Sequence, residues 1–145
     1  MIAVRDPVSG NLALSQDRSD KYSAELWLRR NGQVEAELFP QNGSGPRGGI
    51  ACDALGCLYE KADWRAAILF DSRGLVEDCP AADLVISRAP IRVPCLGPAG
   101  QLRMTIDRFD LWREGPHAVW LARDGPRRVS VQDRRGRRPW VRFRD

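Results

Sequence analysis

Eight arginines fall between Pro126 and Asp145 (Arg127, Arg128, Arg134, Arg135, Arg137, Arg138, Arg142 and Arg144) against two acids, Asp133 and Asp145. This segment carries +6 in a chain whose total is +4. A guanidinium presents a planar fork of donors that fits phosphate oxygens, and Trp140 and Phe143 stand among these arginines as faces on which unpaired bases would stack. Charge clustered in this way supplies non-specific affinity for nucleic acid. The expected contacts to single-stranded DNA are Arg127, Arg128, Arg134, Arg135, Arg137 and Arg138 with Trp140. The competing reading is compositional. Of the 23 basic residues, 21 are arginine, as GC-rich coding produces whatever the function, and arginine-rich tails are often simply solvated with an aromatic folded back onto the core.

Cys52, Cys57, Cys79 and Cys95 are the second group with chemistry to offer. Pairing Cys52 with Cys57 and Cys79 with Cys95 would staple two loops, which is sensible only in an oxidising compartment. Four cysteines allow three pairings, and the sequence does not choose among them. Buried free thiols are an alternative. A tetrahedral zinc site is another, although structural zinc sites bring their ligands in close pairs and only Cys52 and Cys57 are close.

The chain contains one histidine, His117, in the turn Gly115-Pro116-His117-Ala118 entering a strand. A backbone hydrogen bond there is the simpler role, general-base catalysis the other. Asp107 and Asp110, in IDRFD, are candidates for a nuclease carboxylate pair binding a magnesium ion, although a hydrolytic nuclease site usually also needs a positioned Lys, His or third acid. The only lysines, Lys21 and Lys61, are remote in sequence. If the segment is extended, residues three apart point to opposite faces, so a structural pair binding nearby arginines is the plainer expectation. No residue set calls for a cofactor.

A chain of 145 residues with 43% hydrophobic content is one domain's worth, 1–145, able to bury a core unaided. Short alternating runs at Ile2–Arg5 and Leu12–Ser15, around a turn-forming Asp6-Pro7-Val8-Ser9-Gly10-Asn11, predict a β-hairpin. Ser19 is the expected N-cap of a helix running to Arg30, with Tyr22, Leu26 and Arg29 on one stripe, Trp27 and Leu28 widening it, and Gly32 near its end. The stretch 40–49, PQNGSGPRGG, reads as a flexible surface loop. Strands follow at Cys57–Tyr59 and Ala66–Phe70 around a turn at Glu60–Asp63, then a short helix at Ser72–Cys79. Asp83–Ser87 is an apolar, β-branched run suited to a strand covered on both faces. Further strands are expected at Arg103–Asp107, Phe109–Trp112, Ala118–Ala122 and Arg128–Gln132, with turns at Glu114-Gly115-Pro116 and Arg123-Asp124-Gly125-Pro126. Trp112 and Trp120 would then face one another in the core. The segment 126–145 is a basic tail.

Three blocks in this order, CDALGC (Cys52–Cys57), EDCPAADLVIS (Glu77–Ser87) and IDRFDLWREGPHAVWLARDGPRRVSVQDRRGRRPW (Ile106–Trp140), resemble the C-terminal end of ComEC-type competence proteins, the inner-membrane DNA-uptake channels of bacteria. The resemblance runs from about Ile2 to Val141. It implies a mixed α/β (α+β) domain, the β-rich later half of a metallo-β-lactamase-like sandwich with a few short helices, in natural transformation. The implied partners are the membrane channel and the upstream half-domain of the same protein. The cysteine positions match those of periplasmic relatives, which favours disulfides.

That fold usually hydrolyses through metals held by an H-x-H-x-D-H motif and downstream histidines. Where active relatives carry a His-His-Gly-Ser turn after the strand resembling ADLVIS, this chain reads Arg88-Ala89-Pro90-Ile91, so a non-catalytic half is implied. The rival expectations are a degenerate nuclease half and a purely structural scaffold of the channel. A lone half-domain is also expected to expose apolar sheet surface and to self-associate through it. No apolar run approaches the roughly 20 residues that span a bilayer, and MIAVRDPVSGN lacks a signal core. The chain alone would stay cytoplasmic, and joined to its channel it would lie on the periplasmic face. Met1 is expected to open within a longer ancestral frame.

Overall fold

The run Leu84-Val85-Ile86-Ser87 is the keystone of a six-stranded sheet. The computed structural model describes residues 1–15, 20–45 and 49–136. Among these are eleven strands in three sheets and four short α-helices, a β-rich α+β arrangement. In chain order they are β1 (Ala3–Arg5), β2 (Leu12–Leu14), α1 (Lys21–Arg30), β3 (Glu37–Leu38), β4 (Gly43–Ser44), β5 (Ile50–Cys52), β6 (Gly56–Lys61) and β7 (Trp64–Leu69). There follow α2 (Leu75–Ala81), β8 (Leu84–Ser87), β9 (Met104–Ile106), α3 (Arg108–Glu114), β10 (His117–Ala122), β11 (Gly125–Ser130) and α4 (Val131–Arg135).

The large sheet runs in order β4-β5-β6-β7-β8-β9. Strands β4 to β7 pair antiparallel, and β7, β8 and β9 are parallel. Strict alternation sorts its side chains. Cys57, Tyr59, Ala66, Ile68, Leu84 and Ile106 face one core cluster, while Ala67, Leu69 and Val85 face a second on the other side. The first cluster is closed by Ala13 and Phe39, with Ile2, Val4, Val119 and Leu121 packed against it. The second is closed by Ala82 and Cys95, with Leu75, Cys79 and Ile91 alongside. Parallel strands need crossover connections, and such crossovers cover a sheet face, so the central strands are apolar on both sides.

This arrangement corrects the expectation of bare apolar sheet surface. Ile68, Leu69 and Val85 are each 0% exposed. The large apolar side chains that remain exposed lie outside the strands of the large sheet, notably Phe109, Leu111 and Trp112 on α3, Leu38 on β3 and Trp120 on β10.

Several local expectations are also corrected. The N-cap of α1 is Asp20, whose side chain accepts from the Ser23 N–H, and not Ser19, which lies outside the described residues. Leu28 is the buried residue of α1, whereas Tyr22 is largely exposed. Gly32 does end the helix, with a positive φ and its N–H donating to the Arg29 carbonyl. Within 40–49, Gly43 and Ser44 form the edge strand β4 opposite Cys52 and Ala51. Backbone pairing alone holds them, which no side-chain pattern reveals.

Both sequence-suggested disulfides are formed, one on each face of the large sheet. Cys52–Cys57 joins register partners across β5 and β6, and Cys79–Cys95 ties α2 to the connection between β8 and β9. Beside them, burial, and then the like charges of Asp53 and Glu77, push the Asp78 carboxyl above its ordinary value. A carboxyl raised on folding subtracts stability as pH climbs through the interval between its unfolded and folded values. Asp78→Asn is therefore expected to raise Tm by about 2 °C at pH 7. The gain should shrink in scanning calorimetry at pH 4, where the native Asp78 is increasingly protonated.

Candidate nucleic-acid interface

Strands β10 and β11 form an antiparallel hairpin in which Trp120 stands opposite Arg127 and Val119 opposite Arg128. In β10, His117, Val119 and Leu121 turn inward while Ala118, Trp120 and Ala122 turn outward. Val119 and Leu121 pack on the main core and secure the hairpin to the large sheet. The outer face therefore presents Trp120, 45% exposed. The Arg127 guanidinium lies over its ring, 5.3 Å from the centroid, within cation–π range.

Arg128 behaves differently from Arg127 because it occupies the inward register. One guanidinium nitrogen donates to the Thr105 carbonyl at 3.3 Å, and another lies 4.0 Å from Glu114. It thereby bridges β11 to β9 and α3 while its side chain remains exposed. Arg134 and Arg135 occupy the last turn of α4, both exposed, where cations complement the helix dipole. Ser130 and Asp133 start that helix with reciprocal capping bonds. Hydrogen bonds from the Ser130 N–H and hydroxyl hold the Asp133 carboxyl below its usual range, with Arg128 and His117 adding smaller attraction. Arg137, Arg138 and Trp140, together with Phe143, lie outside the described residues.

The other chemistry-bearing residues have structural employment. Asp107 and Asp110 are not on a strand, because Phe109–Trp112 belongs to α3. Asp107 caps that helix by accepting from the N–H groups of Phe109 and Asp110, and Asp110 accepts from the Asp107 N–H. The second Asp107 oxygen accepts from the Ile91 N–H at 2.8 Å, pinning the Arg88-Ala89-Pro90-Ile91 turn. His117 does not bond a backbone group. Its Nε2 meets Glu114 at 3.0 Å, and its side chain is only 3% exposed. Trp112 and Trp120 are both about half exposed and do not form a core pair.

A cleft of about 390 Å³ opens between the three-stranded sheet and β5–β6, lined by Val4, Asp6, Glu37, Pro40, Ile50 and Tyr59. Asp6 accepts from the Val8 and Ser9 N–H groups and the Ser9 hydroxyl, and Glu37 from the Asn11 amide, so both acids serve the fold. Burial, and then the charge of Asp6, raise the Tyr59 hydroxyl, which donates to the Arg5 carbonyl. Among the described residues no helix is long and apolar enough to cross a membrane.

Trp120, expected in the core opposite Trp112, is instead an exposed aromatic beside the arginines. The signal was present, since in HAVWLA a tryptophan between Val119 and Leu121 must point away from both on a strand. No protein-family model, no curated protein and no solved structure matches this chain.

Proposed function

We propose that this chain is the non-catalytic C-terminal portion of a ComEC-type DNA-uptake protein, the later half of its metallo-β-lactamase-like domain, and that it contacts single-stranded DNA without sequence preference. The observation that carries the reading is the exposed β10–β11 face, where Arg127 lies over Trp120. Arg134 and Arg135 follow directly on α4, and Arg137 and Arg138 continue the basic run in sequence. Two disulfides support a location on the periplasmic side, because such bonds persist in oxidising compartments. The commitment of Asp107 and Asp110 to capping α3 weighs against their use as a nuclease pair.

The test is fluorescence anisotropy of a labelled single-stranded oligonucleotide across a salt series. Binding is expected to weaken steeply with salt. Replacing Arg134 and Arg135 together by alanine should lower the slope of log K against log salt by about 1.4, two phosphate contacts at roughly 0.7 each for a single strand. An absence of binding in low salt would overturn the DNA-contact reading and leave a scaffold that packs against the channel.

A further inference from the structure

Of the exposed features, the Trp120 face combines a half-exposed aromatic ring, a cation stacked on that ring and neighbouring arginines. Its flanking residues on the outward side of β10 are Ala118 and Ala122, too small to cover an indole. Across the ladder stand Val129, Arg127 and Gly125, of which Arg127 alone reaches over the ring. The hairpin is fixed to the large sheet from its other side by Val119 and Leu121.

We infer that the outer face of the β10–β11 hairpin is a base-stacking platform, on which Trp120 receives an unpaired nucleobase while Arg127 meets the adjoining phosphate. This rests on the single-strand reading above and names the residue and the contact that would make it selective. Stacking requires a free π-face, which a single strand offers and a duplex has already used within its own helix. Arg127 suits the second task because its planar fork can lie on the ring and still direct N–H groups at phosphate oxygens. Arginines outnumber the exposed acids Asp124 and Asp133 around the platform. Arg123 sits exposed in the turn between β10 and β11, and Arg134 and Arg135 lie just beyond β11. The neighbours of the indole on this face are Ala118, Ala122, Gly125, Val129 and Arg127, and the charged group set against the ring is a cation.

The test uses the whole chain with a labelled twelve-nucleotide thymidine homopolymer and, separately, a mixed-sequence duplex of equal length. Trp120→Thr, which keeps a good strand former at the position, is expected to weaken single-strand binding about tenfold, the loss of one stacked base. The salt slope and the duplex affinity should not move. Trp120→Phe should recover most of the loss. Ala118→Glu, which sets a carboxylate beside the ring without touching it, should weaken single-strand binding too, and it tests the platform even if the threonine variant does not fold.

Wild-type affinity in both Trp120→Thr and Ala118→Glu, with binding still salt-dependent, would overturn the platform while leaving the electrostatic reading intact. Equal losses on single strand and duplex in Trp120→Thr would also overturn it. No binding by the unaltered chain in low salt would overturn both readings together. In that case the exposed tryptophan is a protein contact.

Discussion

Removal of the Cys79–Cys95 disulfide, by changing both residues to alanine, is expected to lower unfolding free energy by about 3 kcal/mol. The two residues are 16 apart in sequence, and closing a loop of that size withdraws entropy from the unfolded chain on this order. Part of the effect is local. Cys95 is 2% exposed and packs with Ala67, Leu69, Ala82 and Val85 on the second face of the large sheet. It anchors the long connection between β8 and β9, a segment with little regular structure of its own. Without the bond, that connection must be held by Ile91, the Ile91–Asp107 hydrogen bond and the short bridge between Leu96 and Leu102. Urea unfolding should therefore show a midpoint well below that of the intact chain, and thermal unfolding a loss of roughly 10 °C. The Cys52–Cys57 bond spans only 5 residues between strands already paired in a hairpin, and its removal should cost no more than about 2 kcal/mol. Reductant added to the wild-type chain should reproduce the sum of the two losses. If reduction leaves the midpoint unchanged, the disulfides do not hold this fold together.

Where local pattern and tertiary context agree, the fold is legible in the sequence. The β-branched run at Leu84–Ser87 announces a doubly covered strand because both of its faces are apolar, and β8 is flanked by parallel neighbours. The β6–β7 hairpin follows from two apolar runs and a polar turn, where Ala62 takes a left-handed conformation. The cysteine spacing contained the right pairing but could not select it, because pairing depends on which loops the sheet brings together. The failures have equally specific causes. Phe109 and Leu111 alternate as a strand would, but Asp107 and Asp110 stand at the separation of a capping box, and the capping chemistry prevails over the alternation. Once α3 replaces that strand, Trp112 and Trp120 no longer share a hairpin. The site follows the same logic. Clustered arginines are visible as charge, but what each one meets depends on register, and register puts Arg128 toward Thr105 and Arg127 outward onto Trp120.

Asp107→Ala is expected to cost about 2 to 4 kcal/mol in urea unfolding, more than a helix cap alone would account for. The carboxylate is 7% exposed and accepts three backbone N–H groups, from Phe109 at 2.7 Å, Asp110 at 3.1 Å and Ile91 at 2.8 Å. The first two bonds start α3. The third joins α3 to the turn after β8, so a single side chain couples the helix bearing the exposed aromatics to an interior strand of the large sheet. Alanine would leave these donors without their acceptor in a buried place, and each orphaned group costs on the order of 1 kcal/mol or more. Asp107→Asn separates the parts of this account. Its amide oxygen can still cap α3, but its amino group cannot accept from Ile91, so an intermediate loss is expected. Asp110→Ala, which removes one acceptor from the Asp107 N–H, should cost only about 1 kcal/mol. A nuclease pair would order these variants differently, since removing either metal-binding carboxylate would abolish activity while often sparing stability. Stability losses in the order Asp107→Ala, Asp107→Asn, Asp110→Ala support a structural clamp. If Asp107→Ala stays within about 0.5 kcal/mol of wild type, as ordinary surface changes do, the clamp fails and the carboxylates regain a claim to chemistry.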